Sequence, residues 1–160
     1  MELTARDVMV REFDTIQRNE PIEKALQMIL RGKVRETGYK TVSIMVTDEF
    51  GHLAGVLSMF DVLYHLRPPF LNYMGDNINF GEHELLSYVK RFKGLTVGQV
   101  MNSPVLYVTS DTNLMVVIDR MVKEKCRRLP VLEHSMVVGI VYLPEVYCHL
   151  CKEWLNMDVD

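Results

Sequence analysis

The chain repeats itself, and the repeat limits the possible folds more than any other feature. Thr4-Ala5-Arg6-Asp7-Val8-Met9 matches Thr96-Val97-Gly98-Gln99-Val100-Met101 at an offset of 92. At the same offset Phe13-Asp14-Thr15-Ile16 falls on Val105-Leu106-Tyr107-Val108. Ile22, Ala25, Leu26, Ile29 and Leu30 then fall on Leu114, Val117, Ile118, Met121 and Val122. That i, i+3, i+4, i+7, i+8 spacing is the apolar stripe of an amphipathic helix. Gly55-Val56-Leu57 matches Gly139-Ile140-Val141, now offset by 84, so the first copy is eight residues longer. Most of the surplus lies around residues 33–40.

Each copy reads as strand, helix, strand, strand, helix. The first has a short strand at Thr15–Gln17 and a helix over Pro21–Arg31, with Pro21 suited to a helix start. The runs Val42–Thr47 and Leu53–Leu57 are rich in strand formers, and Asp48-Glu49-Phe50-Gly51 is a hairpin turn between them. A helix over Met59–Leu66 ends at Pro68-Pro69. The second copy has a helix over Asn113–Lys125, strands at Leu129–Leu132 and Met136–Val141, and a last helix over Pro144–Trp154. Three regions follow: repeat one at 1–66, a connecting segment at 67–94, and repeat two at 95–160. The connecting segment carries Phe70, Tyr73, Phe80, Leu85, Leu86, Tyr88 and Phe92, too many apolar residues for a solvated linker, and Leu85–Phe92 suits a short helix. A single copy of about 60 residues buries too little surface to be robust. Two copies packed through their sheets solve that problem, with pseudo-two-fold symmetry and two related clefts between them.

Composition excludes several classes. A formal charge of −3 argues against general nucleic-acid binding. No apolar run approaches the roughly 20 residues of a membrane helix. The opening Met1-Glu2-Leu3-Thr4-Ala5-Arg6-Asp7 lacks the pattern of a signal peptide. Three cysteines suggest no disulfide framework, and a reducing cytoplasm is the simplest setting. Cys148-His149-Leu150-Cys151 has no second Cys/His pair to complete a zinc site, and it falls inside a helix. No Walker loop or dinucleotide fingerprint is present, and no catalytic set emerges.

With the Val-Met openings, the helix holding Ala25, the Leu129-Pro130-Val131-Leu132 strand, and Gly-x-x-x-x-x-acid at Gly55/Asp61 and Gly139/Glu145, the chain resembles a tandem pair of cystathionine-β-synthase (CBS) domains, the Bateman module. The resemblance covers all but residues 67–94. It implies an α+β fold of two β-α-β-β-α repeats, frequent homodimerisation, and regulatory binding of adenosine compounds in the inter-repeat clefts. It places a ribose at Ser58 and Asp61, an apolar base wall at Val105 and Leu106, and phosphates at Arg127 and Arg128. A carboxylate accepts hydrogen bonds from both ribose hydroxyls, and arginine gives a forked, permanently charged phosphate contact.

Ser58 and Asp61 also fit an ordinary capping box, worth about 1 kcal/mol. The second copy starts its last helix at Tyr142-Leu143-Pro144-Glu145 without a serine, so the fold does not require Ser-x-x-Asp. The second cleft departs from the pattern: Tyr142 and Glu145 replace serine and aspartate, and Thr41-Val42-Ser43 carries no arginine at the matching places. Lys123 and Lys125 suit a helix C-terminus, and Arg31, Lys33 and Arg35 read the same way, as solvated cations. One competent cleft and one altered cleft are expected. The leading reading is a non-catalytic sensor for AMP, ADP, ATP or S-adenosylmethionine, needing no cofactor and acting on a regulated protein partner. The alternative is a ligand-free structural dimerisation module, and an enzyme with an unseen metal site is the third class.

Overall fold

A computed structural model describes residues 2–73, 75, 79 and 81–158. Among these residues are two three-stranded sheets and seven α-helices. In the first sheet, β1 (Thr15–Gln17) runs parallel to β2 (Ser43–Thr47), which pairs antiparallel with β3 (Leu53–Ser58). In the second, β4 (Val108–Thr109) runs parallel to β5 (Arg128–Glu133), which pairs antiparallel with β6 (Met136–Tyr142). Each parallel pair needs a crossover. The amphipathic helices α2 (Ile22–Leu30) and α6 (Leu114–Lys123) supply it. Ile22, Ala25 and Ile29, and likewise Leu114, Val117 and Met121, are the buried stripe of each helix.

The strand pairings locate the surplus residues. Ile16 and Val108 pair with Val46 and Val131, and these pair in turn with Gly55 and Gly139. The offset falls from 92 to 85 between helix and central strand, then to 84 across the hairpin. Seven of the eight extra residues therefore lie in the loop between α2 and β2. In the first hairpin, Asp48 Oδ1 accepts the Phe50 and His52 amides, both at 2.9 Å, and Gly51 adopts φ 79°. The second hairpin is tighter: His134 and Ser135 both adopt positive φ, the geometry of a two-residue turn.

After β3 and β6 come α3 (Met59–Leu66) and α7 (Leu143–His149). The last helix continues to Trp154, but with a π-helical turn over Leu150–Trp154. In the connecting segment, Glu82–Lys93 forms α4, longer than the sequence suggests, and Phe92 is buried on repeat one. Phe80 lies outside the described residues.

The two openings pack in a way that the repeat pattern does not show. Each is one helical turn, α1 (Ala5–Val8) and α5 (Val97–Val100), and each serves the opposite repeat. Ala5 and Val8 join Val108, Val117, Leu129, Val131 and Val141 in the core of repeat two. Val97, Val100 and Phe92 join Ile16, Ile22, Val46 and Leu57 in the core of repeat one. Backbone hydrogen bonds fix the exchange: the Ala5 and Arg6 amides donate to the Thr112 and Ser110 carbonyls, and those of Val97 and Gly98 to Glu20 and Arg18. A third cluster joins the sheets, formed by Met45, Val56, Ile140 and Tyr142 with Val10, Phe13 and Val105 packed against it. No helix among the described residues is long and apolar enough to cross a membrane.

Candidate functional site

Ser58 closes β3 and caps α3. Its amide and hydroxyl both donate to Asp61 Oδ2 at 2.8 Å, and its Oγ accepts the Asp61 amide at 3.3 Å. This is a complete capping box. It occupies one carboxylate oxygen, and no hydrogen bond reaches Asp61 Oδ1 among the described residues. Asp61 remains half-buried.

The other candidate residues come from repeat two. A bridge between Val56 and Asn102 ties the start of the segment that leads to Val105 and Leu106 to β3. Val105 packs into the inter-sheet cluster, whereas Leu106 is 45% exposed. Arg127 is exposed, and its carbonyl accepts the Leu143 amide. Arg128 opens β5 directly opposite Tyr142 and is half-buried. Burial lowers its pKa from the ordinary guanidinium value; Tyr142 and Asp61 oppose that shift, while Arg127 and Arg35 add to it. Arg128 thus lies within electrostatic reach of Asp61, yet no ion pair within 4 Å joins them among the described residues. The structure brings Ser58, Asp61 and Arg128 into one neighbourhood. It ties neither Leu106 nor Arg127 to Asp61 by a hydrogen bond or ion pair.

The second cleft overturns one expectation. Arg35 is not a solvated helix-end cation. It leaves the seven-residue surplus loop and enters the cleft beside Glu145. Its Nε donates to both Glu145 oxygens at 2.8 and 3.0 Å, and its Nη1 to the Thr41 hydroxyl at 3.0 Å. The Thr37 hydroxyl donates to the same carboxylate at 2.5 Å. The guanidinium carbon lies 3.8 Å above the centroid of the Tyr142 ring, a close cation–π contact. The Arg35 and Glu145 side chains are only 8% and 10% exposed. A matching position on β2 has no arginine, as the sequence indicates; the cation arrives from the loop instead. Burial raises the Tyr142 pKa, against the opposing pull of the Thr41 hydroxyl and the cations Arg35 and Arg128. One sequence cue does mark Arg35. It lies in a segment found only in repeat one, although the exposed Lys33 and Lys40 share that segment.

A cavity of about 730 Å³ adjoins this second cleft. Ser43 Oγ, buried and without a hydrogen-bond partner among the described residues, belongs to a residue that lines it. Cys126, Cys148 and Cys151 are free thiols. Among the described residues no three His, Cys, Asp or Glu side chains gather as a metal site would require.

A family profile for the CBS domain matches residues 5–68 and 97–147. Among curated protein sequences none matches the chain. Solved structures with the same fold include the CBS domain of a CBS-domain-containing membrane protein from Sphaerobacter thermophilus: 21% identity, 92% of this chain and 87% of that one, TM-score 0.68. Another is CBSX2 in complex with AMP: 24% identity, 94% and 97% coverage, TM-score 0.69. A third is the CBS domain pair of protein MJ0100 in complex with 5-methylthioadenosine and S-adenosyl-L-methionine: 17% identity, 96% and 99% coverage, TM-score 0.66.

Proposed function

The chain belongs to the CBS-domain family, and from that premise we propose that it is a non-catalytic regulatory module whose first inter-repeat cleft binds an adenosine-type ligand. The candidates are AMP, ADP, ATP and S-adenosylmethionine. One observation carries the reading. Arg128 is a half-buried cation with no ion-pair partner among the described residues, and it feels the field of Asp61. An unpaired buried charge is costly, and an anionic ligand group is the simplest compensation. Asp61 supplies the complementary half, a fixed carboxylate with one oxygen left for a ribose hydroxyl. Ser58 holds that carboxylate in place, Val105 is assigned the apolar wall, and Leu106 and Arg127 are assigned the further base and phosphate contacts.

A ligand spanning both repeats would favour one arrangement of the cleft, and a protein partner would read the change. The test is a melting-temperature and calorimetric titration of the purified protein with each of the four ligands. At 100 times Kd a bound ligand adds about 2.7 kcal/mol of stability. Asp61→Ala should abolish the shift. Arg128→Ala should weaken AMP or ATP more than adenosine, and equal losses would remove the phosphate role. If none of the four binds the wild-type chain, the sensor reading fails.

The structural-dimer reading is supported by a separate observation and is compatible with the first. Helices α3 and α7, which follow equivalent strands, both carry exposed apolar residues. Phe60 is 76% exposed and Leu63 63%, while Tyr147 is 65% exposed. A face of this kind on both repeats suits burial against a second copy. Light scattering should report a dimer for the wild type and a monomer for Phe60→Asp/Tyr147→Asp. A monomeric wild type at tens of micromolar, a range where weak dimers persist, would end this reading.

A further inference from the structure

We propose that Arg35 is a built-in occupant of the second cleft and the residue that makes the two clefts unequal. The inference rests on the sensor reading only in taking the clefts as adenosine sites. Glu145 stands in the first turn of α7 as Asp61 stands in that of α3, six residues after the equivalent glycines. In the first cleft a serine takes one carboxylate oxygen from within the same helix cap. In the second cleft the N-cap residue is Tyr142, which makes no side-chain cap, and the carboxylate is taken by Arg35 and Thr37 of the other repeat. Arg35 therefore covers two groups at once. It engages both oxygens of the acid that a ribose diol would need, and it lies over the Tyr142 face on which a base would stack.

Lack of space is not what closes this cleft. The adjoining cavity is about 730 Å³, within the usual range for small-molecule sites. Among the described residues Ser43 Oγ there still lacks a partner. Repeat two has no loop equivalent to residues 33–40, because α6 runs into β5 through Glu124–Arg127 alone. The first cleft consequently receives no such side chain. The described lining of the second cavity holds six carboxylates against four cations, one of them Arg35. Opening it would create a site for a neutral or cationic nucleoside, one that disfavours phosphates.

Equilibrium dialysis with labelled adenosine tests this. The wild type should bind one adenosine per chain and Arg35→Ala two. Asp61→Ala should bind none, and Arg35→Ala/Asp61→Ala one. A wild type that binds two, or an Arg35→Ala chain that gains no site, overturns the proposal. A wild type that binds none sinks the sensor reading, and a site gained in Arg35→Ala would still support the occupant role. Trypsin supplies a readout independent of both ligand and Arg35 substitution. The Arg35–Glu36 bond should be cut roughly tenfold faster in Glu145→Ala than in the wild type, because the freed arginine spends more time in solvent. Equal cutting rates at that bond would also overturn it.

Discussion

Deleting residues 2–10 is expected to destabilise the second repeat more than the first. The deleted turn is remote in sequence from repeat two but forms a wall of its core. Ala5 is fully buried there and Val8 nearly so, with Leu3 and Met9 packed alongside. Losing that apolar surface costs on the order of 5 kcal/mol at about 25 cal/mol per Å². The deletion also removes the paired hydrogen bonds between Val10 and Ile140, at 2.8 and 2.9 Å, which tie the opening segment to β6. Against a typical total of about 5–15 kcal/mol, such a loss leaves little in reserve. The melting temperature should fall by roughly 10–20 °C for a chain of this size. Hydrogen exchange gives the sharper result. Amides in Leu129–Leu132 and Val138–Val141 should lose protection, while those of Ile44–Val46 and Leu57 keep most of theirs. Equal loss in both sheets, or none in either, would show that the exchange of openings is incidental.

That exchange marks a limit of sequence reading in physical terms. The helices α2 and α6 are legible because nine or ten residues suffice to show a 3.6-residue period. The hairpins are legible because turn chemistry is local: Asp48 and Gly51 act within four residues of each other. A four-residue helix such as α1 shows no period, and its burial depends on a surface more than 100 residues away. The same reasoning separates the two clefts. The Ser58–Asp61 box is local and readable from spacing, whereas the Arg35–Glu145 pair joins residues 110 apart. Helix-end placement explains Arg35 at the level of the chain and fails in three dimensions, because the surplus loop turns it inward. The π-turn at Leu150–Trp154 is likewise invisible to apolar spacing, which runs on through the helix.

Gly55→Ala should destabilise the chain more than Gly139→Ala, although the two glycines are repeat-equivalents. Both lie on a strand beneath the methionine that ends an exchanged opening. The three atoms nearest to a Cβ on Gly139 would all belong to the Met9 side chain, Sδ at 2.5 Å, Cγ at 2.8 Å and Cβ at 3.1 Å. A Cβ on Gly55 would meet Met101 Sδ at 2.6 Å and also the Asn102 carbonyl oxygen at 2.9 Å. A flexible methionine can move aside, whereas the Asn102 backbone is held by two hydrogen bonds to Val56, at 2.8 and 3.0 Å. Overpacking of this kind typically costs about 1–3 kcal/mol, and Gly55→Ala belongs at or above the upper end. Its melting temperature should fall by roughly 6–12 °C, and that of Gly139→Ala by about half as much. A double-mutant cycle identifies the cause. Met9→Ala should recover most of the Gly139→Ala loss, because it removes Sδ and Cγ, the two closest atoms. Met101→Ala should recover little of the Gly55→Ala loss, because the carbonyl remains. The reverse order of costs, or full rescue of Gly55→Ala by Met101→Ala, would show that the Val56–Asn102 bridge yields. The segment carrying Val105 and Leu106 would then be adjustable along β3, and the first cleft would lack a fixed wall.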